Sequence, residues 1–566
     1  MSEGTAIAGS GSARRGYELL AEAFVAEGVS VIFAIIGYGN RHFLGEVAKK
    51  GIRVVTARHE GAALAMADGY ARAGAGVGVV SVHYGPGVTQ LPTSMMVASK
   101  HGTPVVAFAA GLSRDVRHRG GPLDLDERGL LEASGALVVE LVRPEQAFET
   151  VQRAFQEARE RSTPVALLAP IDLQEATVDH APQPPPAAGL ATGDQASRAG
   201  AAPVAVPAQE SLRQAAALLQ HAKRPVVLAG RGARSPQAKA LALDVADRLG
   251  ALVATTFGAK GLFDGHPRSL GTAGGFSLPA DRQLLEQADC VLAVGAGLNA
   301  WTTDKGKLFR AATVIHVDHD AAAFGRASVL PQLRLLGDAT SALSCLSQLL
   351  RESGPAAGWP RAVLDDLAGT DARESAIANE RFTVEAGTVD PRQFMLEFDA
   401  ALPDNAAVVV GGGHFMGFAL QYLKNSPARL FELVFDFMTT GQALPSAVGA
   451  AIACPDRPVV AIEGDASVLM HIQELETAAR SGVSLLVLVL NDGALGAEYH
   501  GLVADGMPGD VALASTPALA DVAVALGGAG MTVTSQDQVN EIMTWYEPKR
   551  GPHLVDVRIS RNVLGP

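Results

Sequence analysis

The chain is poor in cysteine. Cys290, Cys345 and Cys454 lie far apart and match neither zinc-site spacing nor a disulfide framework, so a reducing, cytoplasmic setting is expected. Long hydrophobic runs are also missing. The longest are strand-sized, against the roughly twenty residues of a membrane-spanning helix, and no membrane association is expected. Positive charge is in deficit: the formal net charge is −13 at pH 7, which argues against a general nucleic-acid binder. The one dense basic cluster, RDVRHR at residues 114–119, is read as a solvated or subunit-contact loop rather than an anion site. Residues 1–13, rich in Gly, Ser and Ala, lack the basic start and apolar centre of a signal peptide and are read as a disordered tail.

What is present is ample apolar material, 48% of 566 residues, arranged as alternating strand-like and helix-like segments. Strands are expected at 31–35, 52–56, 77–82 and 104–109, then at 225–229, 252–255, 290–294 and 314–317, then at 407–410, 430–435, 459–462, 483–490 and 554–557. Such alternation predicts an α/β protein of three doubly wound parallel-sheet domains in series. The expected domains are 14–181, 209–352 and 389–566. A Pro/Ala-rich linker at 182–208 and a second linker at 353–388 separate them.

The stretch 463–496 organises the rest. An apolar run ends at Gly464, Asp465, Ala466 and Ser467; a helix is predicted over 468–480; a second apolar run ends at Asn491, Asp492 and Gly493. In a parallel sheet these strand ends are neighbours, so Asp465 and Asp492 can share one ligand. Small residues and a helix start favour an anion, and two hard oxygen ligands beside it point to magnesium holding a diphosphate.

Two further motifs complete a pattern. Residues 58–90 read RHEGAALAMADGYARAGAGVGVVSVHYGPGVTQ, and residues 409–416 and 438–449 read VVGGGHFM and MTTGQALPSAVG. With the 463–496 stretch, they make the chain resemble, over nearly its whole length and in domain order, the thiamine-diphosphate-dependent family of acetolactate synthase, pyruvate oxidase and benzaldehyde lyase. The resemblance implies pyrimidine-binding, central and diphosphate-binding domains. It implies that Glu60 bonds the cofactor's pyrimidine ring and favours the imino tautomer that deprotonates the thiazolium carbon. It also implies that Asp465, Asp492 and the Ala494 carbonyl hold Mg2+. Gly85, Pro86, Gly87 and Gln90 on the pyrimidine side would line the cofactor. Gly412, Gly413, His414, Met438, Thr440, Gly464, Ala466, Ser467, Leu495 and Gly496 would do so on the other side.

The sequence departs from the family at several places. Asp492 stands where relatives usually carry the second Asn of an NN pair. Thr440 stands where many carry a bulky Met that props the bent cofactor, with Met438 the nearby alternative. His83 and Tyr84 replace small residues before Gly85 and are candidate catalytic proton donors, with packing the alternative for each. Ile36, Gly37, Tyr38, Asn40 and residues 495–500, including Glu498 and His500, should border the substrate. The 297–302 stretch lacks the arginine of a flavin-linked family segment, and Gly501 is near the place of a family Trp. FAD is therefore not expected, and Asp318 and Asp320 are read as part of a vestigial nucleotide site.

The resemblance implies a decarboxylase or carboligase acting on small 2-oxo acids or 2-hydroxy ketones, in a homodimer or homotetramer with shared sites. The alternatives are C–C cleavage of a diketone or acyloin without decarboxylation, a flavin-linked oxidase, a CoA-thioester enzyme and a catalytically silent regulatory homologue.

Overall fold

The computed structural model describes residues 13–179, 206–426, 428–548 and 550–565. Residues 1–12 of the expected tail and 182–205 of the expected first linker lie outside these ranges. The chain forms three six-stranded sheets, each parallel throughout. The first uses Val31–Ala34, Arg53–Thr56, Gly78–Val82, Val105–Gly111, Leu137–Glu140 and Pro164–Pro170. The central sheet uses Pro225–Ala229, Leu252–Thr255, Ser269–Thr272, Cys290–Val294, Thr313–Asp318 and Leu333–Leu336. The third uses Ala407–Gly411, Leu430–Val434, Val459–Gly464, Leu485–Asn491, Ala529–Val533 and Pro552–Arg558.

Counted within each domain, the first and third sheets share the order 2-1-3-4-6-5, and the central sheet has the order 3-2-1-4-5-6. Strands buried on both faces read as continuous apolar runs, as in Leu485–Asn491 (LLVLVLN), every residue of which is buried. The chain leaves neighbouring strands toward opposite sides at one point in each sheet. In the first and third sheets that point lies between strands 1 and 3, and a crevice opens there at their C-terminal ends.

Two predicted elements differ. The helix expected over 468–480 is a turn of helix, Asp465–Val468, then a tight segment, then Glu474–Arg480. Between them the amides of Met470, His471, Glu474 and Leu475 bond three residues back rather than four. This narrower winding buries Val468 and Leu475 together. The segment expected as a second linker contains helices Arg361–Gly369 and Ala372–Asn379.

One seam joins the first and third domains. Helix Glu60–Tyr70 packs on helix Ala443–Ala453, both built from small residues. A Cβ on Gly69 would lie 2.0 Å from the Ser446 carbonyl oxygen, and one on Gly449 would lie 1.9 Å from that of Met66, so only glycine allows this approach. Polar ties flank it. Arg58 Nε donates to Glu476 at 2.7 Å, the Arg58 N–H to the buried Glu474 at 3.1 Å, and Arg480 Nη1 to Thr56 Oγ1 at 2.8 Å. Arg72, buried, bridges Asp68 at 2.8 Å and Asp436 at 3.1 Å.

Candidate active site

In the third sheet Gly464 pairs with Leu490, which sets Asp465 and Asp492 at adjacent strand ends. Asp465 is 1% exposed, and its Oδ2 has no hydrogen-bond partner. Burial, reinforced by the nearby Asp492 charge, pushes its carboxyl up to about 7. Asp492 Oδ1 accepts from the Ala494 N–H at 3.0 Å, and its Oδ2 lies 3.8 Å from His414 Nδ1. His414 follows strand 1 of the same sheet. Its Nε2 accepts from the Gly565 N–H at 3.1 Å, which puts the ring proton on Nδ1, and Nδ1 is buried without a partner. His500, on helix Gly496–Ala504, stacks obliquely on His414 at 4.7 Å, and its Nε2 is likewise unpartnered. An unpaired carboxylate oxygen and two unpaired imidazole nitrogens therefore gather at one crevice. A Cβ on Gly496 would come within 2.5 Å of Asp492 Oδ2 and 2.9 Å of His414 Nδ1, so the glycine keeps this space open.

The neighbouring residue Asn491 is engaged elsewhere: its Nδ2 donates to Asp556 at 2.8 Å and to Thr516 at 3.2 Å. Ser467 turns its hydroxyl inward, donating to Glu463 Oε2 at 2.6 Å. Sequence reasoning missed Glu463. It is fully buried and caps helix Ala443–Ala453 by accepting from the amides of Ala443 and Leu444 at 2.8 and 3.3 Å. Burial pushes its carboxyl up to about 7. The signal was available, since an acid inside the run VVAIEG has to be partnered. Met470 was missed too. Its Sδ accepts from Thr440 Oγ1 at 3.3 Å, and its side chain packs on Gly441. Met438 (φ +57°) and Leu495 are exposed.

The first domain assembles a second group. Glu60 opens its helix after the extended His59, whose Nδ1 accepts from the Gly61 N–H at 3.0 Å. A Cβ on Gly87 would lie 3.6 Å from Glu60 Oε1, so the carboxylate sits beside the 85–87 turn. Gly85 (φ +64°) donates its N–H to the buried Glu127 at 2.9 Å. His83 Nδ1 accepts from the Gly39 N–H at 3.0 Å, which leaves the proton on Nε2. Burial lowers the His83 pKa, against the opposing Glu60 charge. Tyr84 stacks obliquely on His83 at 3.9 Å, and burial raises its phenol. Gly37 and Gly39 press against these two rings, and Asn40 braces the turn by accepting from the Gly37 N–H at 2.8 Å. Ile36, Tyr38, Pro86, Gln90 and Glu498 are exposed.

The structure thus brings together Glu60, His83, Tyr84 and Gly87 in one group, and Asp465, Asp492, His414, Gly496 and His500 in another. Among the described residues no hydrogen bond, ion pair or ring contact links the two groups within a chain. The basic loop is held by acids of its own domain: Arg114 Nε donates to Asp172 at 2.7 Å and Arg117 to Glu140 at 2.9 Å. A cavity of about 670 Å³ lies away from the paired acids, at the switch point of the central sheet. Gly232, Gly295, Asp318, Asp320 and Arg231 line it, with Trp301 at one wall.

Comparison with known proteins agrees with this layout. The N-terminal TPP binding domain of thiamine pyrophosphate enzymes matches residues 14–130, their central domain 212–346, and their C-terminal TPP binding domain 411–557. A probable acetolactate synthase large subunit of Methanocaldococcus jannaschii is 27% identical over 96% of this chain and 92% of its own. A sulfoacetaldehyde acetyltransferase of Alcaligenes xylosoxydans xylosoxydans is 28% identical over 92% and 88%, and an acetolactate synthase of Bacillus subtilis 26% over 96% and 93%. With three domain matches in the order of its three sheets, the chain belongs to the thiamine pyrophosphate (thiamine diphosphate) enzymes.

Proposed function

We propose that the protein is a magnesium- and thiamine-diphosphate-dependent decarboxylase and carboligase of small 2-oxo acids or 2-hydroxy ketones. The observation that carries this is the unpartnered, buried Asp465 Oδ2 beside Asp492 and the free His414 Nδ1. Among the described residues no group of three or more His, Cys, Asp or Glu is placed to hold a metal. Two carboxylates leave most of an oxygen shell to a backbone carbonyl, a diphosphate and water, which suits Mg2+ rather than a thiophilic metal. Asp465, Asp492 and the Ala494 carbonyl would hold the ion, and His414 Nδ1–H would donate to the diphosphate.

Bound there, thiamine diphosphate supplies the electron sink that lets a bond to a carbonyl carbon break. The remaining work falls to side chains. Glu60 would hydrogen-bond the cofactor's pyrimidine ring. His83 stays neutral near pH 7 and presents Nε2–H, so it can hydrogen-bond a substrate carbonyl and release its proton as charge develops on that oxygen. Tyr84 stays protonated beside it. The donor loses CO2, and its acyl carbon bonds to a second carbonyl. As the family resemblance implies, Glu60 of one subunit would serve the paired acids of another, in at least a homodimer. The relatives named acetolactate synthase and sulfoacetaldehyde acetyltransferase support the acyl-joining and acyl-transfer reading.

A panel of 2-oxo acids and acyloins, with cofactor and Mg2+ added, tests this by CO2 release and product chirality. CO2 with a coupled product is expected. Consumption of an acyloin or diketone without CO2 would identify the C–C cleaving variant, and cofactor binding without turnover a silent homologue. The central cavity favours one second reading, a flavin-linked enzyme. Yellow colour released on denaturation would establish it against the missing arginine of 297–302.

A further inference from the structure

The last strand, Pro552–Arg558, runs beside Leu485–Asn491 with Arg558 opposite Asn491. The chain then crosses the exits of both strands. The Ile559 N–H donates to the Asn491 carbonyl at 3.0 Å. Arg561 grips the next peptide with two donors: Nε donates to the Asp492 carbonyl at 3.0 Å, and Nη2 donates to the same oxygen. The guanidinium also lies 5.1 Å from the ring centroid of Tyr499, on the helix that follows the loop. Among the described residues it has no carboxylate partner. One side chain therefore touches the loop and the helix that carries His500, and Gly565, a little further along, sets the His414 tautomer.

The loop needs such a hold. Its middle residue, Gly493, has φ +68°, a conformation glycine adopts freely but does not enforce. Asp492 and Ala494, the two candidate ligands contributed by this loop, flank that soft point. A tie on the Asp492 carbonyl removes its freedom before any ligand arrives, and preorganisation of this kind appears as affinity.

We infer that Arg561 is a positioning residue for the metal-diphosphate site, setting its affinity without touching metal or cofactor. The inference rests on the proposed function. Its test is a calorimetric titration of thiamine diphosphate and Mg2+ into the full-length protein, wild type against Arg561→Ala and Arg561→Lys, with melting of each apoprotein measured alongside. Loss of a partner to a ligand-bearing element costs about 10- to 100-fold in metal affinity. Arg561→Ala should show that loss while its apo melting temperature stays at the wild-type value. Lys offers no fixed two-pronged fork and should restore only part of it. Truncation after Leu564, which removes the Gly565 N–H from His414 but keeps the buried Val563, should give a smaller loss. Wild-type affinity in Arg561→Ala would overturn the inference and leave the function standing. So would an apo melting temperature lowered in step with affinity, because that marks a merely structural contact. Failure of the wild type to bind would overturn both.

Discussion

The first and third sheets have the same strand order and use the same exits, yet they fill them with opposite chemistry. After strand 1 one carries Gly37–Tyr38–Gly39–Asn40 and the other Gly412–Gly413–His414. After strand 3 one carries His83 and Tyr84 and the other Asp465. After strand 4 one carries the basic loop 114–119 and the other Asp492. The topology fixes where ligands can reach, and the residues decide which part of a ligand each half receives. Around its helix start the first domain's half is aromatic, with Glu60 beside His83 and Tyr84. The third domain's half gathers two carboxylates, and burial with the nearby Asp492 charge holds the Asp465 carboxyl well above its ordinary range.

The comparison predicts that the two halves fail differently. Glu60→Gln should lower turnover by about 10²- to 10⁴-fold, the usual scale for a lost acid–base group, with the melting curve unchanged. Retention of most activity would remove Glu60 from the chemistry. Asp492→Ala should weaken Mg2+ by more than the roughly 10- to 100-fold that loss of an outer partner costs. Asn491→Ala should spare the metal and lower stability instead, because its amide holds the buried Asp556. An equal or larger metal effect in Asn491→Ala would move the ligand back one residue.

The seam between the halves can be broken separately. Gly449→Ala places a methyl group against the Met66 carbonyl and should cost about 1–3 kcal/mol in denaturant unfolding, as overpacking does. Gly45→Ala, in an open part of helix Arg41–Lys49, should stabilise by up to about 1 kcal/mol. Equal effects would mean that the two domains are not closely seated. A pH-dependent effect concerns Glu474, which reaches from the third domain to the Arg58 amide and whose carboxyl burial pushes up to about 7. A raised carboxyl favours the protonated folded state. Its stabilisation is complete below the unfolded value near 4.5 and is lost as pH rises to about 7, at up to about 1.4 kcal/mol per pH unit. Glu474→Gln should therefore gain melting temperature relative to wild type between pH 5 and pH 8. A difference independent of pH would show that Glu474 ionises freely.

Much of this was legible in the sequence because buried parallel strands announce themselves. Four of the five strands of these sheets not anticipated, Leu137–Glu140, Ser269–Thr272, Leu333–Leu336 and Ala529–Val533, are edge strands, whose alternating or mixed residues carry no continuous apolar run. Pro164–Pro170 is buried but starts and ends on proline, which hides it. The paired acids were visible as strand-end residues. Arg561 was not, because its significance lies in a partner 69 residues away, and the buried acid Glu463 announced a need for partners without naming the one 20 residues away.

The helix seam has one more consequence. The two helices each follow strand 2 of their own sheet, and their glycines meet each other's backbone reciprocally, Gly69 on Ser446 and Gly449 on Met66. In the language of assembly this is an isologous contact made inside a single chain, so it is self-complementary and closed. Having saturated itself, it cannot be offered to another copy. Any oligomer the protein forms must grow from other faces, and its symmetry axis is distinct from the quasi-twofold already present within each subunit.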